Sequence, residues 1–282
     1  MKFTKMHGAG NDYVYIDCFT ESLPEPPETL ARVLSHRRFG IGSDGLILVE
    51  PSERADARMR IFNADGSHAE MCGNGIRCVA KFIYDQARNT HPSRIQIESD
   101  IGVHQLEIET SDNERLLRVS ADMGAPVFDP RKIPADFGAS GPIVNHPIVF
   151  ADTKLLVTVL SIGNPHCVVF VPEASDRLVK QLGPTIENAP RFPNRTNVEF
   201  VEILSRQRLR QRTWERGSGE TLACGTGASA ACVAGVLTKR CNRHVSVELL
   251  GGTLDVTWSE ENNRVRLTGD AVEVFRGDWP VA

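Results

Sequence analysis

Two cysteines in matching contexts, Cys72 and Cys224, carry the plainest chemistry in this chain. The first opens Cys72-Gly73-Asn74-Gly75 and the second opens Cys224-Gly225-Thr226-Gly227, each followed by a helical run. A thiol at a helix start sits among unpaired backbone N–H groups and at the positive end of the dipole. There its pKa is expected to fall, so that a thiolate is within reach near neutrality. A thiolate on one side of a bound molecule and a thiol on the other can take a proton from a carbon and return one to its opposite face. That is acid–base catalysis by two bases. The N–H groups of Gly73-Asn74 and Gly225-Thr226 would form nests suited to a carboxylate.

The elements that must hold these groups can be read from pattern. After Cys72, apolar Ile76, Val79, Ala80 and Ile83 recur at helical spacing, which predicts an amphipathic helix. After Cys224, Ala228 to Leu237 is almost wholly small and apolar, which predicts a helix buried on all sides. Further helices are expected near Glu28–His36 and Ala174–Leu182, and strands fill most of the rest, among them one at Arg115–Ala121. Met123 to His146, rich in Pro, Gly and Asp, reads as a link. Ala271–Phe275 reads as a last strand without a counterpart, returning to the first domain.

The order of elements repeats. An offset of 152 residues relates Cys72 to Cys224, Gly45 to Asn197 and Asn63 to Glu215, and one of 153 relates Gly10-Asn11 to Gly163-Asn164. A duplicated unit is the expectation. The fold class predicted is α+β, with two pseudo-symmetric domains, each a small mixed β-barrel-like sheet wrapped around a central helix. The expected domains are residues 1–121 with 270–282, and residues 122–269, with the active site in the cleft between them.

Composition narrows the function. A net charge of −4 and a sequence pI near 6.1 give no general attraction to nucleic acid or to anionic membranes. No apolar run is long enough to span a bilayer, and the first residues do not resemble a signal peptide. Seven cysteines without compact disulfide spacing suit a reduced, cytoplasmic protein. No cofactor motif is present, and no metal site is read. Cys72, Cys78, His166 and Cys167 could be imagined around zinc, but no C-x2-C pair supports it. Cys18, Cys78, Cys167, Cys232 and Cys241 are read as small hydrophobes, and Asp65 and His68 as turn residues.

Met-Cys-Gly-Asn-Gly-Ile-Arg-Cys at residues 71–78 and Glu-Arg-Gly-Ser-Gly-Glu-Thr-Leu-Ala-Cys-Gly-Thr-Gly-Ala at 215–228 resemble the two signatures of the diaminopimelate epimerase family. Supporting segments begin at His7, Phe62, Gly163 and Arg195, in family order along essentially the whole chain. The resemblance implies a pyridoxal-independent enzyme without cofactor that interconverts LL- and meso-diaminopimelate in lysine and peptidoglycan biosynthesis. It implies Cys72 and Cys224 as base and acid, with His166 and Glu215 near them. Asn11, Asn63, Asn164, Asn197, Glu215 and Arg216 would hold the substrate, the last four largely at its distal end. Gly73, Asn74, Gly225 and Thr226 would receive the carboxylate at the reacting end, and a homodimer is what the family suggests. One departure is visible: some members carry a substrate-site glutamine after the Asp of Gly-x-Gly-x-Asp, where this chain has Gly45. Rival readings are a proline or hydroxyproline racemase, a phenazine-type isomerase, a non-catalytic amino-acid binder, and a thiol-redox or zinc protein. Asn74 argues against the first and the retention of both thiols against the second and third, whereas zinc content and insensitivity of activity to chelator would decide the last.

Overall fold

The computed structural model describes residues 1–86, 92–111, 116–138, 140–150 and 152–280. Arg115, the first residue of one expected strand, lies outside them. The chain divides into two compact units, Met1–Ala121 with Thr268–Ala282, and Asp122–Leu267. Among the described residues no helix is long and apolar enough to cross a membrane.

The first unit runs β1 (Lys2–Gly8), β2 (Asn11–Asp17), α1 (Pro27–Ser35), β3 (Gly45–Glu50), β4 (Ala57–Asn63), β5 (His68–Ala69), α2 (Gly73–Gln86), β6 (Arg94–Ser99), β7 (Gly102–Thr110) and β8 (Leu116–Asp122). The second runs β9 (Ile143–Phe150), β10 (Thr153–Ser161), β11 (Pro165–Phe170), α3 (Asp176–Glu187), β12 (Asn197–Ile203), β13 (Arg208–Glu215), β14 (Gly219–Thr221), α4 (Gly225–Leu237), β15 (His244–Leu249), β16 (Gly252–Trp258) and β17 (Val265–Gly269). The chain ends with β18 (Val272–Asp278).

The duplication holds at the level of register. Parallel β2 and β3 pair Tyr13 with Gly45, and parallel β11 and β12 pair His166 with Asn197. Antiparallel β4 and β5 pair Ile61 with Ala69, as β13 and β14 pair Thr213 with Thr221. Each unit is thus a mixed sheet carrying a short hairpin strand that delivers its cysteine to a helix start. α4 touches β10, β11, β12, β13, β15 and β16, and α2 touches β1, β2, β4 and β6, so each is the central helix of its unit. α1 and α3 cover outer faces. Leu30, Ala31 and Leu34 pack with Val14, Ile16, Leu46 and Leu48, whereas Val179, Leu182 and Ile186 pack with Val169, Val198 and Phe200. Burial of these apolar faces is the main stabilising term.

Four expectations are corrected. Buried positions on α2 extend well beyond a stripe and include Arg77, which is fully buried. The helix predicted to stop near Leu182 continues through Pro184 to Glu187. Pro184 removes one N–H, but tertiary contacts hold the added turn: Ile186 is buried, and Glu187 accepts from Trp214 Nε1 at 2.8 Å and from the Gly217 N–H at 2.8 Å. The region read as a link contains the start of β9. That strand supplies the missing counterpart of β18: β9 lies antiparallel on β10 as β18 lies on β1. The pairing partner precedes one copy and follows the other, so a fixed offset cannot reveal it.

Candidate active site

Cys72 and Cys224 each stand immediately before a central helix. Gly75 N–H donates to Cys72 Sγ at 3.3 Å, and Gly227 N–H donates to Cys224 Sγ at 3.4 Å, so each sulfur caps its helix. The second glycine of each Cys-Gly-x-Gly explains itself by close approach. A β-carbon on Gly75 would sit 2.7 Å from Ile47 Cδ1, and one on Gly227 would sit 2.7 Å from Glu199 Oε1. Ile47 and Glu199 are themselves 152 residues apart. The two half-sites therefore share a helix start and differ in what packs beside its second glycine, an isoleucine in one and a carboxylate in the other.

In the first unit Cys72 Sγ donates to Asn11 Oδ1 at 3.2 Å, and Asn74 Nδ2 approaches the same oxygen at 3.5 Å. Asn63 ends β4 and donates its amide to Ser67 Oγ at 3.0 Å within the Asp-Gly-Ser turn. Arg77 donates to the Gly73 carbonyl at 3.0 Å and to Asn74 Oδ1 at 2.8 Å.

In the second unit Cys224 Sγ lies 3.4 Å from Thr226 Oγ1. His166 is fully buried, with Nδ1 at 2.9 Å from Glu199 Oε1 and Nε2 at 2.7 Å from Asn164 Oδ1. Glu215 accepts from Thr221 Oγ1 at 2.5 Å. Asn197 commits both ends of its amide to the protein, donating to the Pro165 carbonyl and accepting from the Arg216 N–H, each at 2.9 Å. Arg216 is exposed and gives one N–H to the Asn194 carbonyl, which leaves most of its guanidinium fork available for a carboxylate.

The electrostatics correct the expectation of low thiol pKa values. Withdrawal from water lifts the Cys72 thiol, opposed by the N–H groups of Gly75 and Asn74 and by the Arg77 guanidinium. Withdrawal from water lifts Cys224 much further, and the Glu215 and Glu199 carboxylates add to the rise. Burial likewise lifts the Glu215 carboxyl, with Thr221 opposing it. The helix N-terminus is real, but desolvation outweighs it.

Sequence reasoning missed Asp44, Arg77, Glu187 and Glu199. Asp44 binds Asn11, Glu187 pins the Trp214–Gly217 turn, and Glu199 holds His166. Glu199 left a signal, a carboxylate within the otherwise apolar run Val198-Glu199-Phe200-Val201, and Asp44 closes the Gly-x-Gly-x-Asp segment, for which no role is read.

This architecture is that of a known class of duplicated α+β proteins. A phenazine biosynthesis protein from Bacillus anthracis superposes with a TM-score of 0.68 at 16% identity, covering 100% of this chain and 99% of that one. A hydroxyproline epimerase from Agrobacterium vitis superposes with a TM-score of 0.66 at 15% identity, covering 98% and 90%. Sequence places the chain within that class. The family model described as diaminopimelate epimerase matches residues 3–128 and 158–274. A diaminopimelate epimerase of Moorella thermoacetica is 50% identical over 281 residues, covering 100% of both chains. One of Methanococcus maripaludis is 46% identical over 278 residues, covering 99% of both. The chain belongs to the diaminopimelate epimerase family.

Proposed function

We propose that this chain interconverts LL- and meso-2,6-diaminopimelate without a cofactor, in lysine and peptidoglycan precursor biosynthesis. The observation that carries the reading is the duplicated thiol: two sulfurs, each capped by the N–H of the second glycine of a Cys-Gly-x-Gly helix start. One cysteine thiolate takes the α-proton and becomes a thiol. The other thiol gives its proton to the opposite face of the α-carbon and becomes a thiolate. The N–H groups at Gly73-Asn74 and Gly225-Thr226 hold the reacting carboxylate, and the substrate ammonium offsets the cost of ionising a buried thiol.

Asn11 and Asn63 hold the substrate, and Asn164, Glu215 and Arg216 serve largely its distal amino-acid end. Asn197 contributes through the Arg216 backbone that it holds. His166 and Glu215 lie beside the Cys224 chemistry. Reduced protein incubated with LL-diaminopimelate in D2O should gain deuterium at the α-carbon and yield the meso isomer by NMR. Absence of both, with exchange of proline or hydroxyproline run in parallel, would sink this assignment.

A homodimer in the cytoplasm completes the proposal. Val272, Val274 and Phe275 of β18 are exposed at 38%, 53% and 45%, and all seven cysteines are free thiols. Sedimentation equilibrium should give twice the 31.1 kDa chain mass, and cell fractionation should place the activity with soluble protein.

A further inference from the structure

We propose that Asp44, opposed by Arg77, is a positioning residue of the proton-transfer site: it fixes the sense of the Asn11 amide so that Oδ1 faces the Cys72 thiol. This rests on the reading of Cys72 and Asn11 given above. A primary amide offers an oxygen at one end and N–H groups at the other, so its neighbours decide which end a sulfur meets. A carboxylate can only accept. Asp44 Oδ2 takes Asn11 Nδ2 at 2.8 Å and the Asp12 N–H at 3.1 Å. The carbonyl end of Asn11 is thereby left for Cys72.

The clamp is itself braced. Arg37 Nη2 bridges Asp44 Oδ1 and Asp12 Oδ1, each at 2.8 Å, and the Lys5 ammonium lies 2.6 Å from Asp12 Oδ2. From the other side works a group that can only donate. Arg77 Nη2 gives its hydrogen to Asn74 Oδ1, which turns Asn74 Nδ2 toward Asn11 Oδ1. Acceptor-only Asp44 and donor-only Arg77 thus set both amides around one sulfur.

The second half-site lacks this clamp. Thr196 and Ser229 stand 152 residues beyond Asp44 and Arg77. Thr196 Oγ1 donates to the Asn197 carbonyl, Ser229 Oγ donates to the Gly225 carbonyl, and Asn164 Oδ1 is taken by His166. The clamp therefore gives the first half-site a property of its own. An oxygen facing sulfur favours the thiol, and a reversed amide would offer N–H and favour the thiolate. The other groups that face Cys72 are the Gly75 and Asn74 N–H groups and Arg77 from α2, and Tyr13 from β2.

Asp44→Asn tests this. One of its two oxygens becomes a donor, so it can no longer serve Arg37 on one side and Asn11 with the Asp12 N–H on the other. The backbone bonds Asp44 N to Asp12 O and Ala64 N to Asp44 O survive, and the side chain is 40% exposed, so the variant should fold. Expected is a fall in kcat of about tenfold to a hundredfold, with KM within about twofold of wild type. Iodoacetamide alkylation of Cys72, followed by mass spectrometry, should move to lower pH while that of Cys224 stays. Asp44→Ala should move the Cys72 profile in the same direction. A Cys72 profile that does not move, or that moves together with Cys224, overturns the proposal. A wild-type protein without turnover would count against the activity assignment, and the alkylation comparison would still decide the clamp.

Discussion

Cys72→Ala and Cys224→Ala should each lower epimerisation of LL-diaminopimelate by roughly 10²- to 10⁴-fold, the usual reach of a positioned acid or base. The two losses should not multiply, because either thiol alone leaves the proton transfer half complete. Each single variant keeps one thiol, so slow α-deuterium exchange with retention at one epimer should survive while inversion falls by that factor. NMR in D2O separates exchange from inversion in one experiment. Inversion at the wild-type rate in either variant would falsify the two-base reading. Both substitutions remove a helix-capping sulfur, so melting curves recorded alongside exclude simple unfolding. For the wild type, kcat/KM reports the free protein, whose thiols are both lifted by burial, so it should climb as pH rises above neutrality. In the free protein Cys72, beside Arg77, should alkylate at lower pH than Cys224, beside Glu215 and Glu199.

Glu199→Ala should destabilise the protein by about 3–5 kcal/mol, measured by urea denaturation. The Glu199 and His166 side chains are both 0% exposed, and the substitution leaves His166 Nδ1 without its acceptor in a dry setting. It also opens space beside Gly227, which the carboxylate now fills. Glu199→Gln keeps the volume and one acceptor, and should therefore lose less. Both variants remove a negative charge beside Cys224, so alkylation of that thiol should move to lower pH. A loss below about 1 kcal/mol for Glu199→Ala would mean that the pair is far better solvated than its burial indicates.

What the chain determined by itself is whatever depends on local pattern. The Cys-Gly-x-Gly helix starts, the buried small-residue helix α4 and the 152-residue repeat all follow from spacing, because a helix start or a strand is set by neighbours in sequence. Family membership follows from the same short motifs.

Tertiary structure alone decided the rest. Asn11 meets Asp44 and Cys72 across 33 and 61 residues, so no local pattern marks Asp44 as the group that turns the amide. Arg77 occupies a helix position where charge is usually solvated, and only the close approach of Gly8 and Asn74 shows that it is enclosed. The thiol pKa values were misread for the same reason. A helix N-terminus is visible in sequence, but the low dielectric around it, and the carboxylates that Glu215 and Glu199 bring to Cys224, exist only once distant segments have packed.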